Sequence, residues 1–188
     1  GVHIWGNNHG PFGAQGTIST LGSPPAGACT GDFDGDGVLD IAAISEGGGY
    51  AVDWFSGNGN FTFSSFHYVP NTNGLVGTRI YAGHFNGDSH LDLVAIHNQG
   101  AMVLLNDSQG SGNFNSSNDI TTTETIGSAA VADLNGDGMD DIVTAGANLR
   151  VWRGLGNGQF SLAGTSPTTG GNDIKLVDFN LDGRRDAL

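Results

Sequence analysis

Apolar residues along this chain come in short runs, each cut off by glycine, asparagine, serine or histidine. "LDIAAIS" stops at Ser45, "LDLVAIH" at His97 and "AMVLLN" at Asn106. Runs of that length rich in Val, Ile and Leu, bounded by turn residues, read as strands. Elsewhere Val, Ile, Thr, Phe and Trp are interleaved with Gly, Asn and Asp. Helix formers are scarce, with one lysine and two glutamates, Glu46 and Glu124. The pattern predicts an all-β chain with frequent turns.

A longer period lies over the short one. "GDFDGDGVLD", starting at Gly31, returns as "GHFNGDSHLD" from Gly83, "ADLNGDGMDD" from Ala132 and "VDFNLDGRRD" from Val177. The loops cover 32–40, 84–92, 133–141 and 178–186, so the unit recurs every 45–52 residues. A second motif recurs out of phase with the first: "VHIWGNNHGPF", "AVDWFSGNGNF", "MVLLNDSQGSGNF" and "RVWRGLGNGQF". One unit therefore reads as a strand ("TRIYAG"), the acidic loop, a second strand ("LDLVAIH"), a tight turn, a third strand ("AMVLLN"), a Gly/Asn turn and a fourth strand ("NFNSSNDITT"). Four short antiparallel strands per repeat predict a β-propeller blade, and residues 1–188 hold about four such units in one region. A β-sandwich whose loops resemble one another by chance is the weaker alternative.

The loops carry the candidate chemistry. In the first, Asp32, Asp34, Asp36 and Asp40 stand at positions one, three, five and nine, with glycines at four and six. Close carboxylates repel unless something compensates them. Alternate side chains converge where the backbone curls around a centre, and glycine permits the curl. Hard oxygen donors in flexible geometry suit Ca²⁺ better than Mg²⁺, which keeps its waters. The expected ligands are these four aspartates and the Val38 backbone carbonyl. The third loop offers Asp133, Asn135, Asp137, the Met139 carbonyl and Asp141. The fourth offers Asp178, Asn180, Asp182, the Arg184 carbonyl and Asp186, with Leu181 in place of a glycine and two arginines nearby, so weaker binding is expected. The second is the most degenerate. His84 holds position one and Ser89 replaces a glycine, leaving Asn86, Asp88, the His90 carbonyl and Asp92. An EF-hand is excluded, because position twelve is Ala43 rather than a bidentate glutamate.

These repeats resemble the FG-GAP/VCBS family, the calcium-loop blades of integrin α-subunit propellers and of many secreted microbial and fungal proteins. "GDFDGDGVLD" and "ADLNGDGMDD" carry the resemblance most specifically. It implies a seven-bladed ring, of which this chain holds about four units, and Ca²⁺ ions that brace the blade hairpins and need not touch the ligand. It also implies an extracellular location.

Net charge is −13, from 19 acids against 6 bases, and the loops hold 12 of those acids at ligand positions. No basic patch is present to displace counterions from nucleic acid. No apolar run is long enough to span a membrane. The single cysteine, Cys29, reads as a small buried apolar residue rather than a reactive thiol. Asn60, Asn106 and Asn115 each head an N-x-S/T sequon. No G-x-S-x-G, H-E-x-x-H or nucleotide-binding loop occurs, so no enzyme is expected. His84, His90 and His97 cluster around one repeat and read as partly exposed turn residues rather than metal ligands. Trp5, Trp54 and Trp152 hold equivalent places, which favours packing between blades, although a lectin that stacks sugars on them stays open.

Three roles remain. They are a non-catalytic extracellular recognition or adhesion module for protein or glycan, a structural subunit of a fibre or surface appendage, and an accessory propeller of a secreted carbohydrate-active enzyme. A chain that opens at Gly1 is expected to lack its precursor's start. "GVHIW" aligns with "YAVDW" and Asp186-Ala187-Leu188 with Asp40-Ile41-Ala42, so the two ends look cut at complementary points of one hairpin. Self-association through those ends is one outcome. The expectation is that Val2–Trp5 pairs with a strand from outside residues 6–180.

Overall fold

The computed structural model describes residues 2–6, 13–18, 24–45, 51–70, 77–97, 100–107, 109–168 and 173–187. Among them there is no helix. The strands in order are β1 (Val2–Gly6), β2 (Gly13–Ile18), β3 (Pro25–Gly31), β4 (Asp40–Ser45), β5 (Ala51–Gly57), β6 (Phe63–Pro70), β7 (Gly77–Gly83) and β8 (Asp92–His97). They continue as β9 (Gly100–Leu105), β10 (Asn115–Thr121), β11 (Ser128–Ala132), β12 (Asp141–Ala145), β13 (Asn148–Gly154), β14 (Phe160–Pro167), β15 (Leu176–Val177) and β16 (Asp186–Ala187).

Three sheets are complete four-stranded antiparallel meanders: β3-β4-β5-β6, β7-β8-β9-β10 and β11-β12-β13-β14. Two-stranded sheets, β1-β2 and β15-β16, account for the other described strands. Each acidic loop joins the first strand of its repeat to the second, as the sequence predicts. First strands lie against first strands, β3 against β7 and β7 against β11.

Burial follows strand position. The second strands, "DIAAIS", "DLVAIH" and "DIVTA", are buried along their whole length. A strand with sheets on both faces needs a continuous apolar run rather than alternation. The fourth strand β14 is exposed at nearly every residue.

Alternation instead decides which neighbour each residue meets. On β8 and β9, Leu93, Ala95, Met102 and Leu104 join a cluster with Ala42, Ile44, Val52 and Trp54 of the first sheet. The intervening Val94, Ile96, Ala101 and Val103 join Ala129 and Ile142 of the third sheet, with Trp152 packed against them. The middle sheet is thus a partition with one core on each side. A third, smaller cluster carries Val143 and Ala145 against Ile174 of the fourth repeat, with Leu176 beside them.

Some expectations need correction. Among the described residues β1 pairs with β2, Val2 opposite Ile18 and Trp5 opposite Ala14, so the partner found for Val2–Trp5 lies within residues 6–180 rather than outside them. The partner follows a few residues on, where loop closure costs little. His97 is no exposed turn residue. It ends β8 at 3% exposure, and burial holds its imidazole below the ordinary histidine range against the opposing pull of Asp119. The sequon asparagine Asn106 is buried as well. Its amide donates to the Phe33 carbonyl at 2.8 Å and to the Leu91 carbonyl at 3.2 Å, and its oxygen accepts from Gly112 at 2.9 Å. A sugar on that nitrogen would break the contact between two repeats. Cys29 is partly buried, and burial pushes its thiol up to about 12, in line with a packing role.

Phe33 is fully buried between the first and second sheets, whereas Phe179, at the same place in the fourth loop, is 73% exposed. Phe33→Ala is expected to cost about 3–5 kcal/mol, and Phe179→Ala less than about 0.5 kcal/mol. Urea unfolding of a dilute sample, followed by tryptophan fluorescence, checks the contrast.

Candidate metal centre

Each loop leaves the end of a first strand and returns to the start of a second. In the first loop the backbone turns left-handed at Gly35 (φ +75°) and Gly37 (φ +83°), as expected for the curl. The fourth loop makes the same turn with Leu181 (φ +61°) followed by Gly183 (φ +86°). A side chain there is strained by about 1–2 kcal/mol, so the loop's shape prevails over its residue. The second loop departs at position six, where Ser89 is not among the described residues with positive φ.

Position-one carboxylates hold the curl from inside. Asp32 accepts the N–H groups of Asp36 and Gly37 at 3.1 and 2.9 Å. Asp133 accepts those of Asn135, Gly136 and Gly138 at 3.2, 2.7 and 2.9 Å. Asp178 accepts those of Asp182 and Gly183 at 3.0 and 2.8 Å. Burial works to raise the Asp133 pKa, but the backbone donors outweigh it and hold the carboxyl below the usual range.

Positions three and five make local turns. Asp34, Asn86, Asn135 and Asn180 accept the N–H two residues on, and Asp36, Asp88, Asp137 and Asp182 do likewise toward Val38, His90, Met139 and Arg184. Asp34 also accepts the Ser56 hydroxyl at 3.0 Å, tying the loop to the end of β5.

Position nine does more than its place in a ligand set suggests. Asp40 accepts the Phe33 N–H with one oxygen, at 2.7 Å, and the Gly57 N–H with the other, at 2.8 Å. Asp92 repeats this with Phe85 and Asn106, both at 2.9 Å. Asp141 repeats it with Leu134 and Gly154, at 3.2 and 2.9 Å. In the fourth loop Asp186 accepts the Phe179 N–H at 3.0 Å. Each of the first three therefore joins the loop's second residue to the end of the third strand. The loop pattern by itself predicts only a ligand at this position. Its recurrence directly before a buried strand was the available signal. Burial raises the pKa of all three, against those backbone donors, and brings Asp92 to about 6.

Ligand atoms of Asp32, Asp34 and Asp40 all lie within 4.8 Å of one another, the only such trio of acid, histidine or cysteine side chains among the described residues. Asp36 stands outside it and is exposed. The third and fourth loops hold Asn135 and Asn180 at position three, so the same three places supply two carboxylates and an amide. Two charges at that separation repel by about 3 kcal/mol at a surface dielectric of ~20. An all-oxygen donor set of this charge, on a backbone bent around it, fits Ca²⁺. The second loop does not fit. His84 Nδ1 lies 3.2 Å from the His90 carbonyl oxygen, one of the donors the ion would need. An imidazole there closes the loop on itself.

The FG-GAP-like repeat matches residues 32–95 and 84–144, a span that contains the first three loops. The chain belongs to the FG-GAP-like repeat family. No curated protein matches it. Among solved structures, the Tc holotoxin pore of Photorhabdus luminescens carrying a TccC3 mutation aligns over 94% of this chain at 15% identity, with a TM-score of 0.41. The chain spans about a tenth of the length of that relative, as the alignment covers 10% of it.

Asp92 lies in the loop that does not fit an ion, so its proton is linked to folding in any buffer. The folded carboxyl takes up its proton at about 6 and the unfolded one near 3.8. Between those values the folded state binds more protons, so this group's contribution to stability falls as pH rises through the window. Unfolding free energies measured in chelator from pH 4 to 7 should show this slope, and Asp92→Asn should remove that part of it.

Proposed function

We propose that this chain is a calcium-stabilised, propeller-type recognition module of the extracellular space, which binds protein or glycan and catalyses nothing. The carrying observation is the Asp32, Asp34 and Asp40 trio, set in a loop architecture that recurs in the third and fourth repeats. On this reading Asp32, Asp34, Asp36, Asp40 and the Val38 carbonyl hold one ion. Asp133, Asn135, Asp137, Asp141 and the Met139 carbonyl hold a second. Asp178, Asn180, Asp182, Asp186 and the Arg184 carbonyl hold a third, more weakly. Extracellular modules of this kind work at Kd of about 10⁻⁴–10⁻³ M, where an extracellular calcium level keeps them filled.

The ions' role is structural. The first and third loops each link first, second and third strands of their repeat through the position-nine aspartate, and a cation at the loop's mouth removes the repulsion that this crowding creates. Ligand binding falls to other surfaces. Trp54 is not one of them: it is 1% exposed, donates to the Gly112 carbonyl at 3.0 Å and stacks on His67 with ring centroids 4.0 Å apart. Trp152 packs against the second core and donates to Thr144 at 3.1 Å. A glycan ligand would therefore meet groups other than these two rings.

Chelation should lower the melting temperature. Each site filled at a hundredfold excess over Kd contributes about 2.7 kcal/mol, which is roughly 5–10 °C for a chain of this size. Calorimetric titration should count three ions rather than four. Asp137→Ala should lose more stability in calcium than Asp88→Ala. An unchanged melting temperature in chelator would sink the calcium reading, and a glycan array separates sugar from protein as the ligand.

A further inference from the structure

Recurring positions build the scaffold of this fold. Phe33 and Phe85, second in their loops, are fully buried and meet Phe114 and Phe160 of the next repeat edge-on at 5.8 and 5.5 Å, closing the seams between complete sheets. A residue that braces a repeat must return in every repeat. The cations do not return. Five residues before position one the chain has Gly27, Arg79, Ser128 and Asp173 in turn. Three before it, the series is Cys29, Tyr81, Ala130 and Lys175. At position eight it is Leu39, Leu91, Asp140 and Arg185.

The fold nevertheless gathers them. Arg79, Lys175 and Arg185 line one hollow of about 660 Å³, whose walls are the first strands β3, β7 and β11 and residues 173–176 of the fourth repeat. Arg185 also borders a neighbouring recess of about 520 Å³ together with Arg153 and Arg184. Five of the chain's six lysines and arginines therefore line two hollows that share Arg185. The sixth, Arg150, is engaged by Glu124 at 2.8 Å.

Among the described residues the larger hollow is lined by three cations and one acid, Asp173, a balance of +2 in a chain of net charge −13. Lys175 Nζ lies 3.2 Å from Asp173, and its hydrogen bond and charge, joined by the charge of Arg79, hold that carboxyl below the usual range. Arg79 is anchored on the wall, its Nε–H donating to the Gly127 carbonyl at 3.3 Å. Lys175 and Arg185 are exposed, so solutes reach them. Positive charge collected in a cleft raises the local concentration of anions.

Size and lining narrow the anion. A hollow this large takes a ligand of small-molecule size, and a bare sulfate would fill only a small part of it. Thr30 and Tyr81 line it too, bringing two hydroxyls that can pair with alcohols and one aromatic ring. That combination suits a sugar with an acidic group.

We propose that the hollow between the first strands binds an acidic sugar, its carboxylate or sulfate held by Lys175, Arg185 and Arg79 and its hydroxyls by Thr30 and Tyr81. This rests on the recognition reading and names the class of its ligand. First strands of further repeats would continue the wall of the hollow, so the site does not depend on where this sequence begins or ends.

Isothermal titration at low ionic strength, with calcium present, should show binding of glucuronate or of sulfated galactose, the first arm reading a carboxylate and the second a sulfate. Galactose should bind far more weakly than either. Lys175→Ala and Arg185→Ala should each weaken the acidic sugar about tenfold or more, as loss of one charged hydrogen bond does. Both stand at exposed positions, where folding tolerates the change. Asp173→Asn should tighten binding, because it removes the acid that competes for Lys175, a gain that a merely structural role would not produce. The proposal is overturned if neither acidic sugar binds, if galactose or inorganic sulfate binds as tightly, or if Lys175→Ala and Arg185→Ala leave the affinity unmoved. A glycan array that finds only a neutral glycan, or a protein ligand in its place, leaves the recognition role standing and removes this site alone.

Discussion

The hydrogen bonds of the position-nine aspartate are the constraint on which the rest depends. Asp40, Asp92 and Asp141 each tie the second residue of a loop to the end of a third strand. The second residue is the one that enters the next repeat, so the clamp sets both the sheet's geometry and the seam. The carboxylates are buried to do this, and burial raises their pKa values even against two backbone donors apiece. A charged group held in that way is tolerated because its removal would leave two buried N–H groups without acceptors.

Crowding follows from the clamp. Once Asp40 is fixed, the curl of the loop brings Asp32 and Asp34 to within 4.8 Å of it. Two solutions to that crowding occur within one chain. The first, third and fourth loops keep an acid at position one and present oxygen donors suited to a divalent cation. The second puts His84 at position one, where its ring meets the His90 carbonyl. The clamp persists in both cases, so the strands on either side of the second loop, β7 and β8, pair in the same register as their counterparts.

The seams have their own logic. The middle sheet uses alternate residues of β8 and β9 for two different cores, so neither core forms without its neighbour. Asn106 adds a polar tie from the second repeat to the Phe33 carbonyl of the first. A repeat of this kind is not a self-sufficient unit, because its second strand is buried on both faces and needs a sheet on each side.

The repeat, the all-β class, the four strands per unit and the loop positions were legible in the sequence, since each is a local pattern of period two or of fixed spacing. The degeneracy of the second loop is a sequence feature as well, since His84 stands at position one where the other three loops carry an aspartate. Other features depended on the tertiary structure. Asn106 reads as a sequon and is a buried seam residue; His97 reads as a turn residue and is buried; β1 takes its partner from the next strand rather than from a distant one. Asp40 and Asp36 are the same residue type in the same loop, yet only Asp40 reaches the buried N–H groups and the trio. Phe33 and Phe179 hold the same place in their loops, and one is fully buried while the other is 73% exposed. A residue's place within a repeat is set by its neighbours along the chain. Its burial is set by whatever packs across from it, and sequence spacing carries no information about that until the sheets are stacked.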